Sequence, residues 1–407
     1  VSGTGRSGNK RISASFLPNF VPYRTLVMEQ LATPKASPGP PTFVPVGTNQ
    51  ARVFGLDAPT RARRLAAKAK LDCANAARPG AAVLLADLAF AWDPAWLAAI
   101  VKRPGSVLML GDRAVLAHVP AHQDAAPMVA AMEQGAAWTG TGLDRLDAES
   151  TELNNHELRK RERPFVMRLD AADPEPVERA AYDASYKGVT DFLTLYLWRR
   201  LAFHLTRWAA NAGVTPNQVT LVGAILCIVT IWLFARGDYW LGMATGFGFM
   251  VLDTVDGKLA RCTGQSSWWG NIFDHGIDLI HPPFWWWAWA EGLNHHGDPF
   301  ERVYEVLIVL AIVGGYVVQR FVEGIFMRKF GMHIHVWQPL DSRFRLVTAR
   351  RNPNMIILLV SLVFRRPDMG LELVALWTML SLIFHCVRLA QANARAERGQ
   401  VLSSWLA

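Results

Sequence analysis

Apolar positions are spread unevenly along this chain. Before residue 190 they form short runs between polar stretches, and after residue 215 most runs are long. Ala81 to Ala91 (AAVLLADLAFA) is a short apolar run suited to a buried strand or helix. Ser106 to Met109 and Ala114 to Val119 flank Gly111-Asp112, which predicts a hairpin. Thr60 to Lys70, just after Pro59, and Pro127 to Gln134 have helical spacing. These elements predict a small α/β domain over 46–165. A Ser-, Gly-, Pro- and Thr-rich stretch over 1–45, ending in Pro38-Gly39-Pro40-Pro41, is expected to be a disordered lead-in. The polar, charged stretch 166–190 is expected to be a linker.

From Asp191 to Ala210 the pattern changes. Phe192, Leu195, Trp198, Leu201, Leu205 and Trp208 recur at three- and four-residue steps, with Arg199, Arg200 and Arg207 among them. A basic, tryptophan-bearing amphipathic helix of this kind lies in a membrane interface. Six apolar stretches follow, at 216–236, 239–260, 267–291, 303–327, 353–366 and 369–391. About 20 apolar residues cross a hydrocarbon core; the fifth stretch is short and could begin within 345–352. Gly242, Gly246 and Gly248 in the second allow close helix contact. The predicted fold class is an all-α membrane domain of six transmembrane helices over 211–398, with an interfacial helix at 191–210, preceded by a small cytoplasmic α/β domain.

Composition agrees. Of 407 residues, 51% are hydrophobic and 19% charged, below the quarter or so that is usual for a soluble protein. The net charge of +8 does not point to nucleic acid, because the basic residues flank apolar spans and form no stripe on a soluble domain. Arg328, Lys329, Arg343, Arg345, Arg350 and Arg351 lie in one loop, and Arg388, Arg395 and Arg398 in the tail. The opposite connections hold Arg236, Arg302, Arg365 and Arg366. The positive-inside bias puts the first set, the front domain and the C-terminus in the cytoplasm, in a multi-pass inner-membrane protein. Val1 to Lys10 has no apolar stretch behind it, so no secretory signal is expected. Cys73, Cys227, Cys262 and Cys386 have the spacing of neither a zinc site nor a disulfide framework.

The chemistry is concentrated in Asp253 to Asp278, DTVDGKLARCTGQSSWWGNIFDHGID. Aspartates within a membrane domain are costly and mark function. Asp253 and Asp256 are three residues apart and Asp274 and Asp278 four apart, so each pair shares a helix face. Four carboxylates so close need cations. All-oxygen ligands favour Mg²⁺ or Mn²⁺ over zinc, and a pair of ions suits phosphoryl chemistry. Gly257 and Gly270 leave open backbone for a nucleotide, and Arg261 can take a phosphate oxygen. An ion pathway or a buried salt-bridge cluster in a transporter is the competing reading of the same carboxylates.

The spacing D-x2-D-G-x2-A-R-x8-G-x3-D-x3-D is filled by Asp253, Asp256, Gly257, Ala260, Arg261, Gly270, Asp274 and Asp278. It resembles the signature of the CDP-alcohol phosphotransferase family at every fixed position. The resemblance spans about 185–395 and includes Thr215-Pro216-Asn217 at the entry to the first span. It implies that Asp253, Asp256, Asp274 and Asp278 hold two Mg²⁺ or Mn²⁺ ions. It also implies that Asp278 is the general base on an acceptor hydroxyl, and that CMP leaves. Asn217, Gly257, Ala260, Arg261 and Gly270 would hold the CDP moiety. Arg320, Arg343, Arg350 and Arg351 are candidates for an acceptor phosphate, as of an inositol phosphate or glycerol phosphate; plain positive-inside anchoring explains them equally. The expected partners are a CDP-alcohol donor, an alcohol or phospho-alcohol acceptor, the bilayer and a second copy in a homodimer.

A soluble domain in front of such a membrane domain resembles di-myo-inositol phosphate phosphate synthase-like proteins, whose front domain makes the CDP-alcohol. Residues 46–165 contain no GxxxxGK[ST] or GxGxxG loop, and Gly140 to Leu143 is too short to serve. A degenerate, non-catalytic nucleotidyltransferase-like domain is therefore expected; a bifunctional enzyme and a non-catalytic transporter or scaffold are the alternatives. His295-His296 and His333-x-His335 read as polar loop residues, and Trp285 to Trp289 as an outer interfacial belt.

Overall fold

The structure, a computed structural model, describes residues 40–406 apart from 156, 157, 159, 266, 267 and 298; the side chains of 154, 155, 161, 162, 268, 269, 271, 274 and 275 also lie outside the description. Most of the expected lead-in over 1–45 thus falls outside the described residues.

The front part contains β1 (Thr42–Val46), β2 (Arg52–Val53), β3 (Leu56–Asp57), α1 (Ala58–Lys68), β4 (Val83–Asp87), β5 (Phe90–Trp92), α2 (Pro94–Val101), β6 (Ser106–Leu110), β7 (Arg113–Val119), α3 (Ala126–Gln134), β8 (Asp144–Asp147), β9 (Leu153–Asn155), β10 (Lys160–Glu162) and β11 (Val166–Arg168). A five-stranded sheet runs β1-β4-β7-β6-β8, with β1/β4 and β6/β8 parallel and the two inner pairings antiparallel. Every residue of β4 is buried, as a central strand covered on both faces requires. Alternate residues go to opposite faces: Val44, Leu85 and Val107 meet Met128 and Met132 of α3, while Phe43, Leu84 and Leu108 face α1 and α2. Asp57 and Asp93 fix the starts of α1 and α2 by accepting from Thr60 N and Ala95 N, both at 2.8 Å. Caps of this kind stabilise a helix by about 1 kcal/mol each.

The expected linker at 166–190 is structured instead. β11 pairs with β5, and α4 (Glu175–Ala184) buries Val177, Glu178 and Tyr182. The charges that read as a linker tie the two halves together. Glu178 Oε1 accepts from Phe54 N at 2.7 Å, and its Oε2 pairs with Arg207 Nε at 2.6 Å.

A π-helical turn at Leu193–Leu197 leads into α5 (Trp198–Asn211), and α6 (Pro216–Ala235), α7 (Tyr239–Thr263), α8 (Trp268–His296), α9 (Arg302–Phe330), α10 (Pro339–Arg345), α11 (Arg351–Val363) and α12 (Pro367–Glu397) follow. Each predicted apolar stretch corresponds to a helix. Among the described residues, α6, α9 and α12 are long and apolar enough to cross a membrane. Their exposed surfaces carry rows of large apolar side chains: Leu221, Ile225 and Ile228 on α6, Leu307 and Leu310 on α9, Leu376, Leu380 and Ile383 on α12. Exposed apolar area of this extent needs a non-aqueous environment, and the chain is an integral membrane protein. α11 is the short helix anticipated, and it starts at Arg351.

Trp285, Trp286 and Trp289 do not form an interfacial belt. They are fully buried, and Trp285 and Trp289 donate to Cys227 O and Pro367 O at 3.3 and 3.0 Å. Their indole N–H groups find carbonyls inside the bundle, so a polar interface is not needed. Gly246 explains the tight packing there: a Cβ would meet Met355 Cε at 2.8 Å.

His118 in β7 is buried, with Nδ1 3.1 Å from Ile100 O. Burial holds its pKa below the usual 6.5. A lowered histidine pKa contributes stability that is complete above the unfolded value and is lost as pH falls towards the folded one. The thermal midpoint should therefore drop between pH 7.5 and pH 5.5, and drop less in His118→Gln. Equal pH dependence of the two melting curves would show that His118 does not couple to folding.

Candidate active site

α7 and α8 bring the carboxylates together. Between them the chain turns through Gly264, whose φ of +68° ends α7; only glycine adopts this at little cost. A Cβ there would also meet Arg64 Cβ at 3.2 Å, and Arg64 Nη1 donates to Thr263 O at 3.2 Å. The front part therefore packs against the end of α7.

Asp253 and Asp278 converge on one cation. Arg351 donates from Nη2 to Asp253 Oδ2 at 2.7 Å and from Nη1 to Asp278 Oδ1 at 2.8 Å. Asp256 lies deeper, 4% exposed, and accepts from Thr220 Oγ1 of α6 at 2.6 Å. Asp274 stands one turn before Asp278 on α8, and its side chain lies outside the described residues. Two carboxylates from different helices with a guanidinium between them form a place where a cation is held by oxygen ligands. That donor chemistry fits a hard divalent ion.

A cavity of about 400 Å³ opens beside this group. Of the residues singled out from sequence, Asp253, Gly257, Arg261, Asp278, Arg320, Arg350 and Arg351 line it. Asn217 and Arg343 are exposed and stand outside the lining, as do Ala260 and Gly270. Sequence reasoning missed Lys258, Arg345 and Asn352, and also a wall from the segment before α5, with Tyr186, Lys187 and Asp191. Arg345 and Lys258 stand in stretches already marked as basic or as signature, so adjacency was the available signal. The wall had none, because a polar stretch read as linker gives no hint that it closes a pocket.

Asp191 joins this wall to α11. It accepts from Thr194 N at 3.0 Å and from Asn352 Nδ2 at 2.9 Å. Burial opposes its charge, but Arg345, Asn352 and Thr194 prevail and hold its pKa below the usual carboxylate value. Asn352 is thereby fixed next to Arg351, which orients the start of α11.

Glu323 of α9 clamps two further cavity cations. Its carboxylate accepts from Arg320 Nη2 at 2.7 Å and from Arg350 Nη2 at 2.8 Å. His335 and His385 stand beside it, and His335 is buried, not a surface loop residue. Burial keeps the His335 pKa well below its ordinary value. The ligand types would suit a transition metal, but the guanidinium groups already saturate Glu323. A further cation would face strong repulsion at this point.

Residues 213–380 match the CDP-alcohol phosphatidyltransferase family. By that match the stretch is a CDP-alcohol phosphatidyltransferase domain, and it covers less than half of the chain. The matched stretch comprises α6 to α11 and part of α12 and contains Asp253, Asp256, Asp274, Asp278 and Glu323, while Asp191 of the cavity wall precedes it. Cholinephosphotransferase 1 of Gallus gallus is 32% identical over 134 residues, covering 30% of this chain and 38% of that protein. Archaetidylinositol phosphate synthase of Pyrococcus horikoshii is 26% identical over 191 residues, covering 47% of this chain and 89% of that protein. The chain thus spans well under half of the cholinephosphotransferase. The crystal structure of Mycobacterium tuberculosis phosphatidylinositol phosphate synthase with CDP-DAG bound is 18% identical, with a TM-score of 0.37, over 47% of this chain and 94% of that one.

The Thr220 hydroxyl bond to a buried carboxylate in the domain makes a testable contribution. Thr220→Val should destabilise the protein by about 1–3 kcal/mol, and Thr220→Ser should stay near the parent. Denaturation in detergent measures both; a valine variant as stable as the parent would show that Asp256 does not need the hydroxyl.

Proposed function

We propose that the domain transfers a substituted phosphate group from a CDP-alcohol to an acceptor alcohol and releases CMP. The observation that carries this reading is the convergence of Asp253 and Asp278 on a shared cation at the wall of a cavity rich in arginine. Asp253, Asp256, Asp274 and Asp278 would hold Mg²⁺ or Mn²⁺, two ions by the number of carboxylates. When bound, the metal neutralises the diphosphate and the charge that develops in transfer. Arg351 supplies that cation itself in this structure and has to yield its place between the carboxylates.

Asp278 is the proposed base. Its side chain is 46% exposed and reaches the cavity, so an acceptor hydroxyl can approach it. Its carboxylate takes the hydroxyl proton as the acceptor oxygen bonds to the β-phosphorus. The bond from that phosphorus to the bridging oxygen breaks, and its electron pair leaves with CMP. Gly257 leaves backbone open to the nucleotide, and Arg261 binds its phosphate. Arg320, Arg345 and Arg350 exceed the carboxylates beside them, Glu323 and Asp191, by one positive charge, which favours an acceptor that itself carries a phosphate. The relatives divide between choline phosphate and inositol phosphate chemistry by name, which leaves two donor classes, CDP-choline-like and CDP-lipid.

The six-span arrangement belongs to the same proposal, with α6, α7, α8, α9, α11 and α12 crossing the bilayer. The ends of α7, α9 and α12 with Arg261, Arg328 and Arg388, and the start of α11 with Arg351, carry the positive charge expected on the cytoplasmic side. The front part is proposed to be a non-catalytic scaffold there. Asn49, in the turn after β1, is committed to the fold: Nδ2 donates to Leu88 O and Leu169 O, both at 3.0 Å, and Oδ1 accepts from Ala51 N at 2.8 Å.

Purified full-length protein in detergent, assayed with CDP-choline and CDP-diacylglycerol against diacylglycerol, inositol 1-phosphate and glycerol 3-phosphate, should release CMP only with Mg²⁺ or Mn²⁺. Asp278→Asn should lower the rate by about 10²–10⁴-fold without unfolding the protein. Turnover that persists in excess chelator, or an asparagine variant at full rate, would sink the mechanism.

A further inference from the structure

Lys258 lies inside the signature, at a variable position between Gly257 and Arg261. It is 3% exposed and lines the cavity. A buried ammonium group calls for an anion or a set of acceptor oxygens. Among the described residues Lys258 has neither a carboxylate nor a carbonyl partner. Its Nζ rests instead 2.9 Å from the centre of the Tyr186 ring and 5.7 Å from that of Tyr182.

The neighbouring charges make this placement more unusual. Arg261, Lys160 and Arg199, all cations, act on it electrostatically, opposed by the nearby Cys262 thiol. Arg199 is engaged by Asp183 at 2.8 Å, and Lys160 donates to Ala184 O at 2.5 Å. Other cavity cations have carboxylates of their own: Arg320 and Arg350 share Glu323, and Arg351 takes Asp253 and Asp278. A ring face holds a cation weakly and without directional bonds. It can therefore release the ammonium to a stronger partner that enters the cavity.

We propose that Lys258 is a donor-binding residue, its ammonium resting on the Tyr186 ring and moving onto a phosphate oxygen in the CMP half of the bound CDP-alcohol. The donor is favoured over the acceptor by position. Lys258 shares α7 with Asp253, Gly257 and Arg261, whereas the arginines held by Glu323 come from α9 and the start of α11. Tyr186 gives the front part a role in the site, since it comes from the segment just after α4 and sets where the lysine waits. The inference rests on the transferase reading.

The test is CMP binding by calorimetry to the purified full-length protein with Mn²⁺, in parallel with thermal melting. Lys258→Met should weaken CMP binding by about tenfold to a hundredfold, as expected for loss of one charge-assisted hydrogen bond, and Lys258→Arg should recover most of it. A methionine variant that binds CMP like the parent overturns the inference, whatever its melting temperature, and leaves Lys258 as a cation–π staple between α7 and the front part. Should Lys258→Met not fold, Lys258→Gln and Lys258→Arg carry the same comparison: glutamine must weaken binding and arginine must keep it. A parent protein that binds neither CMP nor CDP-choline overturns the transferase reading itself, and this inference falls with it.

Discussion

Asp253 and Asp278 carry like charges on different helices, and only a cation between them makes their approach favourable. In this structure the guanidinium of Arg351 provides it, with a bond of 2.7 Å to one carboxylate and 2.8 Å to the other. The rest of the domain serves that convergence. Asp256 is anchored below by Thr220, Arg351 is oriented by its neighbour Asn352, and Asn352 is fixed by Asp191. Each charged group has a partner on a different element, so the bundle could not shift one helix without leaving a buried charge uncompensated, which is among the costlier errors a fold can make.

The cavity cations divide by partner. Arg351 belongs to the aspartates, Arg320 and Arg350 to Glu323, and Lys258 to an aromatic ring. Such a division matters because a cavity lined only with guanidinium groups would repel itself. Glu323 supplies the negative charge that lets two arginines stay close, and in exchange they are held with little freedom to move. A site of this kind meets an anionic substrate already organised, so little reorganisation is needed on binding.

The front part is joined to this machinery through charge and close backbone approach. Glu178 links Phe54 N to Arg207, Arg64 reaches Thr263 O, and Gly55 lies so near Ala210 O that a Cβ would stand 2.9 Å away. The apolar core is continuous across the junction, from Phe43 through Tyr182 and Phe203 to Trp285. Tyr186, Lys187 and Asp191 of the connecting segment consequently form one wall of the cavity.

Periodicity was enough to place the helices, because an apolar stretch must satisfy its backbone internally whatever it packs against. The hairpin at Gly111 and the helices α1 and α3 were legible from the same kind of local pattern. The carboxylates were legible as well, since ionisable groups within apolar stretches stand out and their spacing assigns them to helix faces. What surrounds them was not. That Trp285 and Trp289 bury their indoles against main-chain carbonyls, that 166–190 forms a strand and a helix, that Asn217 and Arg343 stand outside the cavity while Arg345 and Lys258 line it, all depend on contacts between residues far apart in the chain. The sequence by itself determined which apolar stretches after residue 215 are helical and which residues carry charge into the bundle. Only the tertiary structure decided which cation meets which carboxylate, because an ion pair is a property of distance across elements, and no local pattern along one chain encodes it.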